Sequence, residues 1–554
     1  MLARILINKG IKDSVEIESF LNGDISMLND PHLMKDMDRA TEEILTCKNE
    51  EKRVLIIGDY DIDGICSSYI LKRGLKDIGI IASVRLPDRV MDGYGMNRAM
   101  IDEAYENGMD LILTCDNGIA AFDETEYAAS LGIKVIITDH HEVPFETDDK
   151  GEKSYIIPKA LAVVDPKQKD CSYPFEGICG GVVAYKLIEC LYERCGIDKE
   201  KLYKLLPYAA FATVGDIMPL TDENRIIVKY GLKLMQTTAD KGLNALINAT
   251  GVDRTRIAPY HIGFILGPCI NATGRLDTPD RALKLFLTED EKEAAVIASE
   301  LKTLNDNRKE IQTLYTKKAV DMVEGDPSFL KDTVLVLYLP DCHESLAGLI
   351  AGKLKEKYSR PSFVLTKGAD CVKGSGRSIE AYDMYEEMNK CSDLFLKFGG
   401  HKMAAGLSLE EKNVPEFRKR INELSLLTEE DMEPLYRVEM QLHMKGASLS
   451  FAKELERLSP YGNGNEKPLF AEKDLKILKR EILGKNNNTV KLIVAPKDQA
   501  SDPELKREAL IFGDAAKIME EIKDKEDIML VFELAVNYFK GTENVQLLVR
   551  DYRI

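Results

Sequence analysis

Three short apolar runs in the first 140 residues each end in acidic or imidazole side chains, and this recurrence restricts the fold more than any other feature. The runs are residues 54–57, 111–115 and 135–138, and the polar residues that follow them are Asp59, Asp61, Asp63, Asp116, Asp139, His140 and His141. Short apolar runs that end at turn residues are typical of buried parallel strands. Segments with helical spacing separate the runs, which predicts a doubly wound parallel sheet.

The polar residues at the ends of these runs are expected to share one cleft. Right-handed crossovers bring the carboxyl ends of parallel strands to the same edge of a sheet. For residues 59–63 alone, a solvated acidic turn is the alternative interpretation. Carboxylates mixed with imidazoles suit Mn²⁺, Fe²⁺ or Zn²⁺ better than Ca²⁺. Shared carboxylates favour two ions about 4 Å apart, the arrangement used for in-line displacement at phosphorus.

Later residues add to this pattern less clearly. Asp216 is either a distant ligand that completes the metal centre or the residue at the end of a helix, and spacing alone leaves both open. Residues 163–181 are predicted to be rich in loops.

Composition is ordinary for a globular protein, with 44% hydrophobic and 30% charged residues. No apolar run approaches the roughly 20 residues that span a bilayer, and no signal peptide is recognisable at the N-terminus. Eleven irregularly spaced cysteines favour reduced thiols, and hence a cytoplasmic protein with no membrane partner.

The charge balance argues against a protein that coats nucleic acid without specificity, since the formal net charge is −18. Two segments of the chain have a positive net charge instead. Residues 350–377 and 473–497 each contain seven Lys or Arg residues and two acids. These windows indicate either a local basic channel or ordinary solvated lysine faces.

With 554 residues the chain is too long for one core. The predicted fold class is α/β: two α/β lobes, the first built on the parallel sheet, are joined by a long helix, and an OB-like β-barrel follows. The predicted segments are a helical N-terminus (1–45), a catalytic domain (46–285), the connecting helix (286–328), a second α/β domain (329–428) and the barrel (429–554). Stacking on bases in the barrel would fall to Tyr461, Phe470, Tyr538 or Phe539.

Two glycine-rich segments of the second lobe are predicted to be loops. Residues 374–378, with two hydroxyls and an arginine, would suit a terminal phosphate, although such Gly-Ser segments are common. Residues 398–406 contain His401, for which a tight turn around a packed histidine is the alternative.

Taken together, the motifs resemble a known superfamily. Residues 59–64, 116–118, 139–141 and 214–216 resemble the four motifs of DHH phosphoesterases, and 374–378 and 398–401 resemble the associated DHHA1 domain. Residues 271–275, the long helix and residues 460–465 before the barrel resemble the RecJ family of single-strand-specific 5′→3′ DNA exonucleases. The resemblance covers nearly the whole chain, in order.

The resemblance implies an exonuclease of DNA repair and recombination that releases 5′-mononucleotides and uses two divalent ions. Mn²⁺ is the expected metal, and Mg²⁺ is the alternative. Metal would be held by Asp59, Asp61, Asp116, His140 and Asp216. His141 would contact the scissile phosphate, while Asp63 and Asp139 would orient ligands. The 5′ phosphate would be bound by Arg89, Ser375 and Arg377, and the DNA by Arg275, Gln312, Lys353 and His401. The implied partners are single-stranded DNA, a single-strand-binding protein and a RecQ-like helicase, with the enzyme itself a monomer.

One segment departs from the family pattern, and two other functions compete with the leading one. Around His343 the sequence lacks the Trp-His-Pro-Gly type of loop that RecJ-like proteins usually carry. A DHH phosphodiesterase of short oligoribonucleotides or cyclic dinucleotides is one alternative, which the long helix and the barrel argue against. A non-enzymatic replication subunit on a decayed fold is the other, which the retained carboxylates argue against.

Overall fold

The computed structural model describes residues 1–89, 91–147, 152–484, 488–539 and 541–554. These residues form two compact units. The first unit comprises Met1–Asn271, Pro279–Ala298 and Tyr436–Ile554, and the second comprises Ala272–Thr278 and Ser299–Leu435.

The first unit contains the predicted parallel sheet. Its strands are β1 (Val54–Ile57), β2 (Ser83–Arg85), β3 (Leu111–Cys115), β4 (Lys134–Thr138), β5 (Phe145–Thr147), β6 (Lys153–Tyr155) and β7 (Ala162–Val164). Five of them lie in the order β2-β1-β3-β4-β7, and all four neighbouring pairs are parallel. β5 and β6 form a separate antiparallel hairpin. The predicted loop-rich character of residues 163–181 is wrong at its start, because residues 163 and 164 lie in the edge strand β7.

Helices cover both faces of this sheet, which explains why its inner strands β1 and β3 are buried along their whole length. The helices of the first 290 residues, not all of which pack on the sheet, are α1 (Leu2–Asn8), α2 (Ser14–Asn22), α3 (Met37–Asn49), α4 (Ile62–Asp77), α5 (Arg98–Glu106), α6 (Phe122–Ser130), α7 (Gly180–Cys195), α8 (Lys199–Tyr203), α9 (Leu206–Gly215), α10 (Asp222–Thr237), α11 (Lys241–Thr250), α12 (Pro259–His261), α13 (Gly267–Asn271), α14 (Thr273–Leu276) and α15 (Asp280–Leu287). Helix α14 belongs to the second unit. On one face, Ile57, Ile112 and Ile137 pack against Met100 of α5 and Ala128 of α6. On the other face, α4, α7 and α9 pack together.

A single helix, α16 (Glu291–Gly325), has 35 residues. At 1.5 Å per residue it is about 50 Å long. It begins in the first unit and ends in the second. The predicted long connecting helix is therefore present, and it begins five residues after and ends three residues before the predicted segment 286–328.

The second unit is built on a five-stranded mixed sheet. Its further elements are α17 (Pro327–Lys331), β8 (Leu335–Tyr338), α18 (Ala347–Tyr358), β9 (Ser362–Lys367), β10 (Val372–Arg377), α19 (Met384–Asn389), β11 (Phe395–His401), β12 (Ala404–Leu409) and α20 (Val414–Leu424). The strand order is β11-β12-β10-β9-β8, in which β8 and β9 are parallel and the other neighbours are antiparallel.

The prediction that both glycine-rich segments are loops is wrong. Residues 374–377 lie in β10, between β9 and β12, and the second segment forms the β11–β12 hairpin. A side chain on Gly374 would lie 2.3 Å from Leu365, and one on Gly376 would lie 2.6 Å from Phe363. The glycines are therefore strand residues that leave room for neighbouring side chains. His401 is exposed at the end of β11 and is not packed.

The C-terminal part of the first unit is the predicted barrel. Its elements are β13 (Met440–Gln441), α21 (Leu449–Leu455), β14 (Leu469–Leu483), β15 (Thr489–Pro496), β16 (Arg507–Phe512), α22 (Ala515–Ile522), β17 (Asp527–Phe539) and β18 (Thr542–Arg553). Five strands close in the order β14-β15-β16-β18-β17, because β17 also pairs with β14. Leu2, Ile5 and Leu6 of α1 share the apolar cluster of this barrel, so the N-terminus packs on the C-terminal domain.

Of the four aromatic residues proposed for stacking, two are turned inward. Phe470 is fully buried, and the Tyr461 hydroxyl donates a hydrogen bond to the Leu455 carbonyl. Tyr538 is exposed, and the side chain of Phe539 lies outside the described residues. All eleven cysteines are thiols. In the described part of the chain, no helix combines the length and apolarity needed to cross a bilayer.

Candidate metal centre

Carboxylate and imidazole groups from separate elements meet at the carboxyl edge of the parallel sheet. They form three overlapping groups whose ligand atoms lie within 4.8 Å of one another: Asp59, Asp61 and Asp116; Asp116, His140 and His141; and Asp63, His140 and Asp216. Two residues, Asp116 and His140, belong to two groups each. All five residues that the sequence nominated as metal ligands are therefore in one place.

The Asp-Asn-Gly turn after β3 holds Asp116 in a particular direction. The backbone of Asp116 has the left-handed conformation, with φ +60°, which Asp tolerates better than most residues. The Asn117 side-chain amide donates to the carbonyls of Ile57 (3.1 Å) and Cys115 (2.9 Å), which ties the ends of β1 and β3 together. Gly118 has φ +117°, and a Cβ there would lie 2.8 Å from the Thr114 hydroxyl. Each residue of this short motif thus has a separate role in presenting the carboxylate.

Asp139 orients the two histidines that follow β4. Its Oδ1 accepts hydrogen bonds from His141 Nδ1 (2.7 Å) and from the backbone N–H of His140 (2.8 Å). Its Oδ2 accepts from the backbone N–H of Ile119 at 2.9 Å. The buried Asp139 thus accepts hydrogen bonds on both oxygens and holds the His141 ring, whose Nδ1 and Nε2 lie 3.2 and 3.4 Å from the Tyr94 hydroxyl.

His140 points in a different direction, into the carboxylates. Its Nε2 lies 3.1 Å from Asp116 Oδ1, 3.4 Å from Asp63 Oδ2 and 3.7 Å from Asp216 Oδ2. Asp216 is the residue immediately after α9. Asp216 therefore both follows the end of the helix and lies beside the cluster, and its role as a metal ligand stays a prediction.

The N-terminus of α7 supports Asp63. The backbone N–H groups of Gly180 and Gly181 donate to the two Asp63 carboxylate oxygens at 2.8 and 2.7 Å. A helix N-terminus also favours negative charge. A Cβ on Gly180 would lie 2.7 Å from Asp116 Cβ, and one on Gly181 would lie 2.5 Å from Ala212 Cβ. The glycine pair is therefore required for the helix to approach the acidic cluster.

Burial and mutual repulsion favour the protonated form of three of the carboxylates, Asp59, Asp116 and Asp216. Burial raises the pKa of Asp59 and of Asp116 well above the ordinary value. Burial and the charge of Asp63 raise the pKa of Asp216 to about 8. Burial lowers the pKa of His140. Burial also disfavours the charged form of His141, but the hydrogen bond and charge of Asp139 outweigh it and raise that pKa to about 9.

The residues fit a divalent cation. The buried Asp59 Oδ1 has no hydrogen-bond partner among the described residues, which ordinarily costs about 1–3 kcal/mol. Buried carboxylates crowded enough to retain protons lose that penalty when a cation lies between them. Oxygen and imidazole donors together suit first-row divalent metals.

Sequence reasoning overlooked two residues beside this cluster. Asp165 follows β7 and is fully buried, with Oδ2 unpartnered among the described residues. Burial and the charge of Asp139 raise its pKa to about 7. Two residues on, Lys167 forms an ion pair with Glu142 at 2.9 Å. The sequence does contain the same pattern here, because Ala162–Val164 is a fourth apolar run that is followed by Asp. The run has only three residues, which is why it was overlooked.

The predicted phosphate-binding residues are divided between the units. Arg89 lies in the first unit, with its guanidinium carbon 5.0 Å from the centroid of the Tyr60 ring. Ser375 and Arg377 lie in β10 of the second unit. The Arg377 guanidinium packs closely on α18, since a Cβ on Gly348 would lie 2.8 Å from its Nη2.

The four predicted DNA-contacting residues, Arg275, Gln312, Lys353 and His401, all belong to the second unit. The Ser345 hydroxyl donates to the Arg275 carbonyl at 3.2 Å, and the Arg275 guanidinium donates to the Ser345 carbonyl. These reciprocal bonds join α14 to the segment before α18.

The two basic windows contain many lysines paired with acids from the same windows or from outside them. Among the described residues the pairs are Lys353–Glu356, Lys357–Glu324, Lys373–Glu344, Lys476–Glu526, Lys479–Glu481, Lys491–Glu508 and Lys497–Asp527. Exposed pairs of this kind contribute little to stability. The local positive charge in both windows is thus smaller than the sequence count suggested.

Comparison with known proteins agrees with this architecture. Family models described as "DHH family, N-terminal domain", "DHHA1 domain" and "RecJ OB domain" match residues 53–213, 331–425 and 438–551. The single-stranded-DNA-specific exonuclease RecJ of Salmonella typhimurium is 31% identical over 578 residues, covering 100% of this chain and 95% of that protein. This chain belongs to the RecJ family.

Solved RecJ structures show the same fold. Thermus thermophilus RecJ in complex with Mn²⁺ matches with a TM-score of 0.81 and 26% identity, covering 100% of this chain and 75% of that one. The same protein in complex with Mg²⁺ matches with a TM-score of 0.75 and 25% identity, covering 100% and 74%. The predicted family and fold class are confirmed, and the acidic and imidazole cluster of this chain could hold such ions.

Proposed function

We propose that this chain is a metal-dependent exonuclease that degrades single-stranded DNA from its 5′ end and releases 5′-mononucleotides. The observation that carries the proposal is the convergence of seven carboxylate and imidazole residues at one edge of the parallel sheet. Family membership over the full chain supports it, because the RecJ relatives are named as single-stranded-DNA-specific exonucleases.

Two divalent ions would bind at this edge, with Mn²⁺ preferred over Mg²⁺. Asp59, Asp61 and Asp116 would hold one, and Asp116, His140 and Asp216 would hold the other, so that Asp116 is shared. Bound divalent ions supply Lewis-acid stabilisation of the charge that develops around phosphorus. The overlap of the ligand groups at Asp116 supports a pair of ions over a single one.

The chain's own residues have distinct tasks. His141, protonated at neutral pH and held by Asp139, would donate to an oxygen of the scissile phosphate. Asp63 would keep His140 in place through its 3.4 Å contact, while the α7 N-terminus compensates its buried charge. Groups of this kind orient ligands and do not react themselves.

The direction of digestion would be set by the 5′ phosphate. Arg89, Ser375 and Arg377 would bind it, since a guanidinium fork matches phosphate geometry. Arg275, Gln312, Lys353 and His401 would contact the strand. We also propose that the enzyme is a monomer in the cytoplasm and acts in repair and recombination. Its protein partners would be a single-strand-binding protein and a RecQ-like helicase.

The test is digestion of single strands labelled at either the 5′ or the 3′ end, with Mn²⁺ or with EDTA. We expect a labelled mononucleotide at once from the 5′-labelled strand, progressive shortening of the 3′-labelled strand, and no product in EDTA. Prompt release of label from the 3′ end would overturn the polarity. Preference for short oligoribonucleotides or cyclic dinucleotides over long strands would favour the small-substrate phosphodiesterase instead.

A further inference from the structure

Two exposed aromatic rings, one on α12 and one in the turn that follows it, stack on each other. The Tyr260 and Phe264 ring centroids are 5.1 Å apart, and the ring planes are inclined by only 27°. The residues are 62% and 66% exposed. Single exposed apolar residues are common and need no explanation, but a stacked pair with a free face is a ready surface for another flat ring.

The backbone under this pair is unusual. Residues Ile262–Leu266 form a π-helical turn, a rare conformation that is frequent at functional sites. Ile262 and Leu266 are fully buried, whereas Phe264 between them points outward. The interior is thus filled without Phe264, and packing of the core gives no reason for a large apolar ring at this position.

The same segment is fixed to the elements that carry the metal ligands. Asn271 Oδ1 accepts the backbone N–H of Ile62, the residue between Asp61 and Asp63, at 2.8 Å. A Cβ on Gly267 would lie 3.0 Å from the Ile62 side chain. The segment that carries the stacked pair therefore contacts the start of α4, next to two of the candidate metal ligands.

An arginine in the same segment of the chain also suits a nucleic acid. Arg256, four residues before Tyr260, has its guanidinium carbon 4.8 Å from the centroid of the Tyr538 ring, which is 45% exposed on the barrel, and its Nε 4.0 Å from Asp253 Oδ2 in an exposed ion pair. Cationic side chains beside exposed aromatic rings are how proteins hold single strands without reading sequence. Arginine on an aromatic face keeps its charge available to a phosphate.

We propose that Tyr260 and Phe264 form a stacking platform for a base of single-stranded DNA, with Arg256 contacting the neighbouring phosphate. This inference rests on the proposed function. It adds a second binding site for the strand, formed by residues other than the metal ligands. The occupant is a nucleobase and not a protein, because the proposed substrate is a single strand, whose unpaired bases offer flat rings to an exposed aromatic pair.

The experiment compares a 20-nucleotide single strand with an abasic strand of the same length, both fluorescein-labelled, by anisotropy in EDTA. The proteins are the wild type, the double variant Tyr260→Ala/Phe264→Ala, the conservative variant Tyr260→Phe and the control Tyr105→Ala, which removes an exposed tyrosine from α5. Binding to the base-bearing strand should weaken at least about fivefold in the double variant, as expected for the loss of one stacked base. Binding to the abasic strand should not change, and both single variants should bind like the wild type.

An equal loss on both strands would mean that the rings support the fold or the phosphate contacts, and unchanged binding to both would mean that another partner covers them. Either outcome overturns the platform. Failure of the proposed function is a separate result: wild-type protein would then release no nucleotide from single strands with Mn²⁺. The two failures are distinguishable because the binding assay contains no metal and measures no cleavage.

Discussion

The Asp139 carboxylate accepts a 2.7 Å hydrogen bond from His141 Nδ1, and this contact favours the charged form of the histidine, whose side chain is 44% exposed. Replacing Asp139 by Asn keeps the shape but removes the charge. We expect the pKa of His141 to fall from about 9 towards its ordinary value, as seen by NMR titration of the metal-free protein. Turnover should fall about 10- to 100-fold, the usual effect of losing an orienting partner.

The matched control for that variant is Asp102→Asn, which removes an exposed carboxylate that accepts from the Tyr127 hydroxyl. It should leave both turnover and the His141 titration as in the wild type. An unchanged His141 pKa in Asp139→Asn would show that some other group holds the proton.

Asp116→Asn should abolish Mn²⁺-dependent nucleotide release while leaving the fold intact. Asn also tolerates the left-handed backbone at this position, so the change removes charge without adding strain. Because burial and neighbouring carboxylates raise the pKa of Asp116, the metal-free variant should melt at the same temperature as the wild type or higher. Thermal melts with and without Mn²⁺ measure both effects. Near-normal turnover by this variant would defeat the metal assignment.

The stability of the metal-free protein should fall as pH rises from 5 to 9. Asp216, with its pKa raised from 3.8 to about 8, favours folding below pH 3.8, and this contribution is lost as pH rises through 8. His141, raised from 6.5 to about 9, contributes fully below pH 6.5 and loses its contribution through pH 9. Both signs agree. Melting in EDTA across this range measures the decline.

Mn²⁺ should reverse that trend, because protons and metal compete for the same atoms. The increase in melting temperature on adding Mn²⁺ should therefore grow with pH. A stabilisation by Mn²⁺ that is independent of pH would argue that the ion binds outside this cluster.

Gly181→Ala should lower both stability and metal affinity. The new methyl group would lie 2.5 Å from Ala212 Cβ and 3.1 Å from Asp63 Oδ1. Overpacking of this kind costs about 1–3 kcal/mol, and here it pushes α7 away from the acidic cluster. Urea denaturation and Mn²⁺ titration measure the two effects. Gly325→Ala is the control, since nothing lies within 4 Å of the added Cβ, and it should be close to neutral.

Arg377→Ala should impair digestion of strands with a 5′ phosphate more than strands with a 5′ hydroxyl. The guanidinium lies against α18 and matches a phosphate in geometry and charge. Rates on the two substrates give the ratio directly, and it should fall at least about tenfold, as for a lost charge-assisted pair. Lys390→Ala, which removes a surface lysine paired with Glu387, should leave the ratio unchanged. Equal losses on both strands would count against a phosphate-binding role.

Much of the metal centre was readable before any coordinates. Apolar runs ending in Asp or His report strands, and the fixed handedness of their crossovers brings those ends together without further information. The positions of Asp59, Asp116 and His140 follow from that rule. The long helix and the barrel were readable too, because their periodicity is local to each element.

The glycine strand β10 shows where such local reasoning ends. Gly374 and Gly376 interrupt the alternation of side chains that marks a strand, so their segment looked like a loop. Only the neighbours Leu365 and Phe363, brought in by sheet pairing, explain the missing side chains. Asp165 was overlooked because its strand has three residues, too few to show a period.

The sequence by itself determined the order of the elements, the parallel sheet and the edge at which its acidic residues gather, because these depend on local pattern and chain handedness. Tertiary structure alone decided which atoms touch: the α7 glycines on Asp63, α1 in the core of the barrel, and the outward Tyr260 and Phe264. Such contacts join residues far apart in the chain or depend on what is already buried around them. Their energies arise from packing and desolvation, which no local window of sequence contains.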